Sequence, residues 1–131
     1  MPHLIFDGKA DLSKLSFPSE VHREGRLVMK IEHSWLRSDG QALLVEGVVV
    51  EYSRALHPVA EIVVTHGRLN MRLWSLVSVE RNTAIQKWLL MVAEMLQAAG
   101  VGPLVKTNLS PQILRGAALQ TVGEARGTLD S

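Results

Sequence analysis

Cysteine is absent from the 131 residues, which excludes disulfides, thiolate metal sites and a cysteine nucleophile. Aromatic residues make up only 5%, too few for a base-stacking platform. The formal net charge of +1 supplies neither the basic field of a nucleic-acid binder nor an acidic binding tail. No apolar run approaches the ~20 residues that span a bilayer; the longest, 88–93, falls inside an amphipathic pattern. Residues 1–7 lack the basic and apolar regions of a signal peptide. These absences together predict a cytoplasmic protein with no membrane partner, no nucleic-acid partner and no cofactor.

Hydrophobic residues make up 47%, enough for a real core. The length suits one domain. Residues 1–116 are expected to form it, and the small, polar stretch 117–131, with Gly123 and Gly127, reads as a flexible tail.

Residues 26–76 are the organising stretch, read as two successive β-hairpins. Residues 26–37 alternate, with Leu27, Met29, Ile31, His33 and Trp35 on one face. Asp39-Gly40 then signals a hairpin turn. Residues 43–50 are apolar on both faces, which predicts a central strand, and Gly47 within it marks a bulge or a close backbone approach. Residues 53–58 read as a loop. Residues 59–65 and 68–75 flank a His66-Gly67 turn, and alternation places Trp74 on the polar side with Arg68 and Arg72. Before these hairpins, residues 3–6 read as a strand, Asp11 as the cap of one helical turn over 11–15, and 21–25 as surface loop.

After them, Ile85, Trp88, Leu89, Val92, Leu96 and Ala99 recur at helical spacing. Ser78 is the expected cap, Glu80 suits the first turn, and Gly100 is the stop. Leu104 to Thr107 suits a short strand, and Ser110-Pro111 opens a helical turn through Arg115. The fold class expected is α+β: an antiparallel β-sheet of hairpins with one long amphipathic helix packed on one face. One helix cannot cover both faces of 43–50, so a homo-oligomer is expected.

Few residues carry chemistry. The five histidines show no metal-ligand spacing, and His33, on the apolar side of its strand, reads as a core histidine. Ser34 and Ser53 lack a nucleophile elbow, and Gly100-Val101-Gly102 follows a helix rather than opening one. The sharpest candidate is Pro2. Removal of Met1 exposes a prolyl secondary amine, and burial or a nearby arginine favours the neutral form of such an amine. A neutral amine serves as a general base toward a proton α to a carbonyl.

Residues 1–12, Met-Pro-His-Leu-Ile-Phe-Asp-Gly-Lys-Ala-Asp-Leu, resemble the opening of the 5-carboxymethyl-2-hydroxymuconate isomerases of the tautomerase superfamily. Trp35 with Asp39-Gly40-Gln41 resembles that family's strand-to-turn region, and Arg26 stands where those enzymes carry an arginine. Gly67-Arg68 is the nearest match to their Gly-Ala-Gly-Arg segment. The family has a full helix between its first two strands, where residues 12–25 here are short and broken. The resemblance implies a trimer of β-α-β units and proton transfer on a small unsaturated keto or hydroxy acid. It implies Pro2 as base, with Arg26 and Arg68 holding a small-molecule carboxylate. The alternative expectation is a non-catalytic homo-oligomeric binding or assembly module using its sheet face and Trp74.

Overall fold

The alternating segments become strands of one sheet in a computed structural model that describes residues 2–8, 10–74 and 83–122. In chain order they are β1 (His3–Asp7), β2 (His22–Glu24), β3 (Leu27–Leu36), β4 (Ala42–Glu51), β5 (Arg54–Leu56), β6 (Val59–Thr65), β7 (Arg68–Leu73) and β8 (Leu104–Thr107). A single 3-10 turn (Leu12–Lys14) follows β1, the helix α1 spans Thr83–Ala98, and the short helix α2 spans Pro111–Arg115. The sheet runs β2-β3-β4-β6-β7-β1-β8, with β5 beside β4, and every pairing between these strands is antiparallel. Among the described residues, the link from β1 to β2 holds only the 3-10 turn. The β-α-β unit implied by the resemblance is therefore not formed there.

The fold class expected, an α+β domain with a long amphipathic helix on one face, is corrected. The molecule is mostly β, with 44% strand and 21% helix, and its sheet curls into a half-barrel. The helix explains the curl. Leu89, Leu90, Met91, Val92 and Ala93 follow one another in sequence, and all are buried. Successive residues lie about 100° apart around a helix, so five buried in a row demand contact around most of the circumference. A flat sheet covers one stripe; a curled one covers more. Sheet and helix share one core, in which Leu4, Phe6, Val45, Ile62, Leu69 and Met71 meet Ile85, Trp88, Leu89 and Leu96. No helix among the described residues is long and apolar enough to cross a membrane.

Most local expectations are met. Asp11 caps the 3-10 turn by accepting from the Ser13 N–H. Gly40 takes φ 74° in the β3–β4 loop, and the Asp39 carboxylate accepts from the Gln41 N–H at 2.9 Å. His66 and Gly67 take φ 51° and 75°, the paired left-handed turn that joins twisted strands. Gly100, at φ 104°, ends α1, with the Val101 N–H returning to the Leu96 carbonyl at 3.0 Å. Ser78 and Glu80, the expected cap and first-turn acid, lie outside the described residues.

Four findings differ from expectation. Residues 22–24 form an edge strand rather than loop, turned back by Gly25 at φ 61°. Residues 54–56 form β5, reached through Tyr52 and Ser53 at φ 51° and 64°. Residues 117–122 run beside β8, where the Leu104 N–H donates to the Gln120 carbonyl at 2.8 Å and the Gln97 side chain bonds both the N–H and the carbonyl of Gln120. The rest of the stretch read as a tail, 123–131, lies outside the described residues. The fourth is a bulge in β3. Ile31 pairs with Gly47 but His33 pairs with Glu46, so one residue is extra and the alternation inverts. Leu27, Met29 and Ile31 are buried, whereas His33 and Trp35 face outward and are exposed.

Gly47 is a close approach. The Trp88 indole lies against it and donates its N–H to the Lys30 carbonyl at 3.1 Å. A Cβ on Gly47 would stand 2.3 Å from Trp88 Nε1 and 2.4 Å from the Lys30 oxygen. A backbone oxygen cannot swing aside, so Gly47→Ala is expected to destabilise by roughly 3 kcal/mol, at the upper end of overpacking costs. Urea unfolding checks it, and an unchanged midpoint would refute the contact.

Candidate functional site

The N-terminal strand is clamped on both sides. Pro2 is buried, and its carbonyl accepts from the Leu73 N–H at 3.2 Å. The His3 N–H donates to Asn108 Oδ1 at 2.9 Å, and the Thr107 hydroxyl donates to the His3 carbonyl at 2.7 Å. Residues 2 and 3 are thus fixed between β7 and the end of β8.

Neither arginine chosen from the sequence joins Pro2 within one chain. Arg68 stands opposite Asp7, at the far end of β1. Five residues of extended chain separate that end from Pro2, roughly 16 Å. Arg26 sits in the β2–β3 turn, with its guanidinium 5.7 Å from the centre of the Tyr52 ring. β3 is four sheet positions from β1, about 19 Å at ~4.8 Å per strand. The arginine beside the N-terminus is Arg72, directly opposite His3 and bonded to Glu61 at 2.8 Å. Arg68 and Arg72 do share a face, as alternation predicts.

That face is the outer one, away from α1. Register aligns a row across it: Trp35 opposite Leu44, Leu44 opposite Glu61, Glu61 opposite Arg72, and Arg72 opposite His3. Trp35 is 51% exposed, and the His33 ring lies 5.7 Å from it, centre to centre. The expectation that His33 is a core histidine is not met, because the bulge carries it outward. Two shallow depressions meet at Glu61. One, of about 270 Å³, has Trp35, Leu44 and Trp74 in its walls. The other, of about 520 Å³, has Ile5, Val63, Asn70 and Arg72. The outward residues of β4 between and beyond them, Leu44, Val48 and Val50, are half-buried and apolar. The row as a whole was legible only with the register in hand, and Trp35's place in it only with the bulge.

No group of histidine, aspartate and glutamate residues that could hold a metal occurs among the described residues. Two ion pairs lie on this face: Arg72 with Glu61, and Arg37 with Asp39, each at 2.8 Å. The Arg37 side chain and then the Gln41 N–H hold the Asp39 carboxyl below the usual carboxylate range, and Asp39 raises Arg37 in return.

A folded-state pKa below the unfolded one means that the turn gains stability above the unfolded value and loses it as pH falls through the folded one. An NMR titration is expected to find the Asp39 midpoint below 3.8, the ordinary value, and Arg37→Ala is expected to move it upward. A midpoint unmoved by that substitution would refute the pair as the cause. No family model, curated protein or solved structure matches this chain.

Proposed function

We propose that this chain is a non-catalytic assembly module whose outer sheet face docks against a second copy of itself. The observation that carries the reading is the row from Trp35 to His3. It combines an exposed tryptophan and an arginine, side chains in which contact energy concentrates, with Leu44 between them and the half-buried Trp74 in the wall of the adjoining depression.

The occupant follows from charge. Register places Lys30, Arg68, Arg72 and Lys106 on this face with Asp7, Glu46 and Glu61, so both signs are interspersed. A nucleic-acid partner would need a basic excess. A copy of the same face needs only balance. A twofold axis along the strands, between β6 and β7, would set acid over base on both sides of itself, the self-complementary arrangement of an isologous contact. The proton-transfer reading needs two arginines at Pro2, and within one chain Arg26 and Arg68 lie elsewhere.

Light scattering on the purified chain at micromolar concentration is expected to give a multiple of 14.4 kDa. Trp35→Glu is expected to weaken association at least tenfold, about 1.4 kcal/mol, with an unchanged circular dichroism spectrum because Trp35 contributes nothing to the core. A monomeric wild type, or a Trp35→Glu protein that assembles equally well, overturns the proposal. Ketonisation of phenylenolpyruvate is expected to run at the buffer rate. A faster rate lost in Pro2→Ala would favour the enzyme instead.

A further inference from the structure

The sheet protects its ends except in one place. At one end, residues 120–122 lie along β8: the Leu104 N–H donates to the Gln120 carbonyl at 2.8 Å, and the Val122 N–H to the Leu104 carbonyl at 3.0 Å. At the other end, β2 covers only Leu27, Val28 and Met29 of β3, and two of its own three residues are charged. Past Met29, no strand among the described residues lies on that side of β3. The segment left open there, His33-Ser34-Trp35-Leu36, holds no proline, lysine, arginine, aspartate or glutamate. All four residues are exposed, the apolar Trp35 and Leu36 at 51% and 43%. Proteins blunt their free edges with charge, proline or cover, and an apolar edge without them is a template for another strand.

The ladder fixes which backbone groups face out. The Arg37 N–H donates inward, to the Ala42 carbonyl at 2.8 Å. Backbone direction alternates along a strand, so Trp35 also bonds toward β4, its partner there being Leu44. Ser34 and Leu36 therefore turn their N–H and C=O groups to the open side.

We propose that this edge pairs antiparallel with the same edge of a second copy, about a twofold axis beside Trp35. The proposal rests on the assembly reading and adds a second contact to it. With Trp35 of one copy opposite Trp35 of the other, Ser34 falls opposite Leu36 and His33 opposite Arg37. The outward donors and acceptors of Ser34 and Leu36 then meet those of Leu36 and Ser34 in the other copy. A register centred on Ser34 or His33 would draw Glu32 into the pairing, and Glu32 is the residue the bulge leaves out of step. Centring on Trp35 keeps the paired segment beyond the bulge. Its one charged residue, Arg37, already bonds Asp39 of its own turn at 2.8 Å, so no like charges meet. Trp35 is the reason for a copy rather than a foreign strand. At a pair without mutual hydrogen bonds the Cα atoms stand about 4.5 Å apart and the side chains are closest, so the two indoles cover each other's apolar area. In the face contact Trp35 lies over β8 of the other copy, so the two contacts give it different neighbours.

The chain has no cysteine, so a single introduced one reports its own neighbour. Under mild oxidation, Trp35→Cys is expected to give a covalent dimer on a non-reducing gel, because about 4.5 Å between Cα atoms lies within the roughly 4.4–6.8 Å that a disulfide spans. His33→Cys and Arg37→Cys stand opposite each other rather than opposite themselves, and each alone is expected to link at least tenfold more slowly. Leu36→Pro removes an outward N–H that the sheet does not use. Added to Trp35→Cys, it is expected to slow linking at least tenfold at an unchanged circular dichroism spectrum, and Leu36→Lys, an edge charge, is expected to act likewise should the proline variant fold poorly. Arg72→Glu, on the outer face away from this edge, is expected to leave linking unchanged, so the edge contact and the face contact fail separately. No dimer at position 35, equal linking at 33, 35 and 37, linking that survives both Leu36 variants, or linking lost in Arg72→Glu overturns the proposal.

Discussion

The Trp88 indole against Gly47 is the contact on which the rest of the molecule depends. It joins the middle of the helix to the middle of the central hairpin, and its N–H is satisfied by the Lys30 carbonyl on β3. That hydrogen bond matters because Trp88 is fully buried, and an indole N–H left unpaired in a core costs about 1–3 kcal/mol. The space for the indole comes from one missing Cβ, and the bulge lies just beyond, where the pairing steps from Ile31–Gly47 to His33–Glu46. Two consequences follow. Inside, the helix sits close to the sheet and the sheet must curl around it. Outside, β3 continues past the bulge with its faces exchanged, so that Trp35 appears on the surface.

This arrangement explains what could be read in the chain and what could not. Asp39-Gly40 and His66-Gly67 are local signals with a local cause, since each supplies left-handed backbone where a tight turn needs it, and both turns fall where expected. Tyr52-Ser53 makes the same kind of turn without glycine or asparagine. Nothing in those two residues announces it, and β5 was read as loop. Gly25, in the first central position of the β2–β3 turn, is a local signal of the same kind. Leu90, Met91 and Met95 stand in the sequence as apolar positions outside the main stripe. Their meaning is tertiary, because a wide apolar circumference is resolved by a curled sheet rather than a flat one. The bulged residue itself carries no mark, since Glu32 is an ordinary outward residue until its neighbours are paired; the mark is Gly47, across the ladder where the register steps.

The candidate site divides in the same way. The first strand is legible in the sequence, but that it lies beside β7, with Pro2 buried there, is given only by the sheet order. Choosing its arginines required the sheet order. Matching by chain position selected Arg26 and Arg68, one in a distant turn and one at the wrong end of β1. The register selects Arg72, which alternation had already paired with Arg68 on one face. A side chain's face is written in the sequence, but its neighbour across the sheet is set by how many strands lie between.

A half-barrel closed on a helix has two surfaces left over, and they differ in kind. The outer face sets apolar residues beside charged ones, and Glu61 of β6 is answered across the strands by Arg72 of β7. Such a face gains by meeting another extended face. The open seam at β2 is the opposite case. The three-residue edge strand is short and carries His22, Arg23 and Glu24, features that discourage a further strand from pairing there. With strand addition disfavoured, the seam stays a cleft, at whose rim Glu24 pairs with Lys87 of α1. One surface is thus the convex outside of the curled sheet, and the other is the concave seam at its edge. The helix packing that forces the sheet to curl produces both.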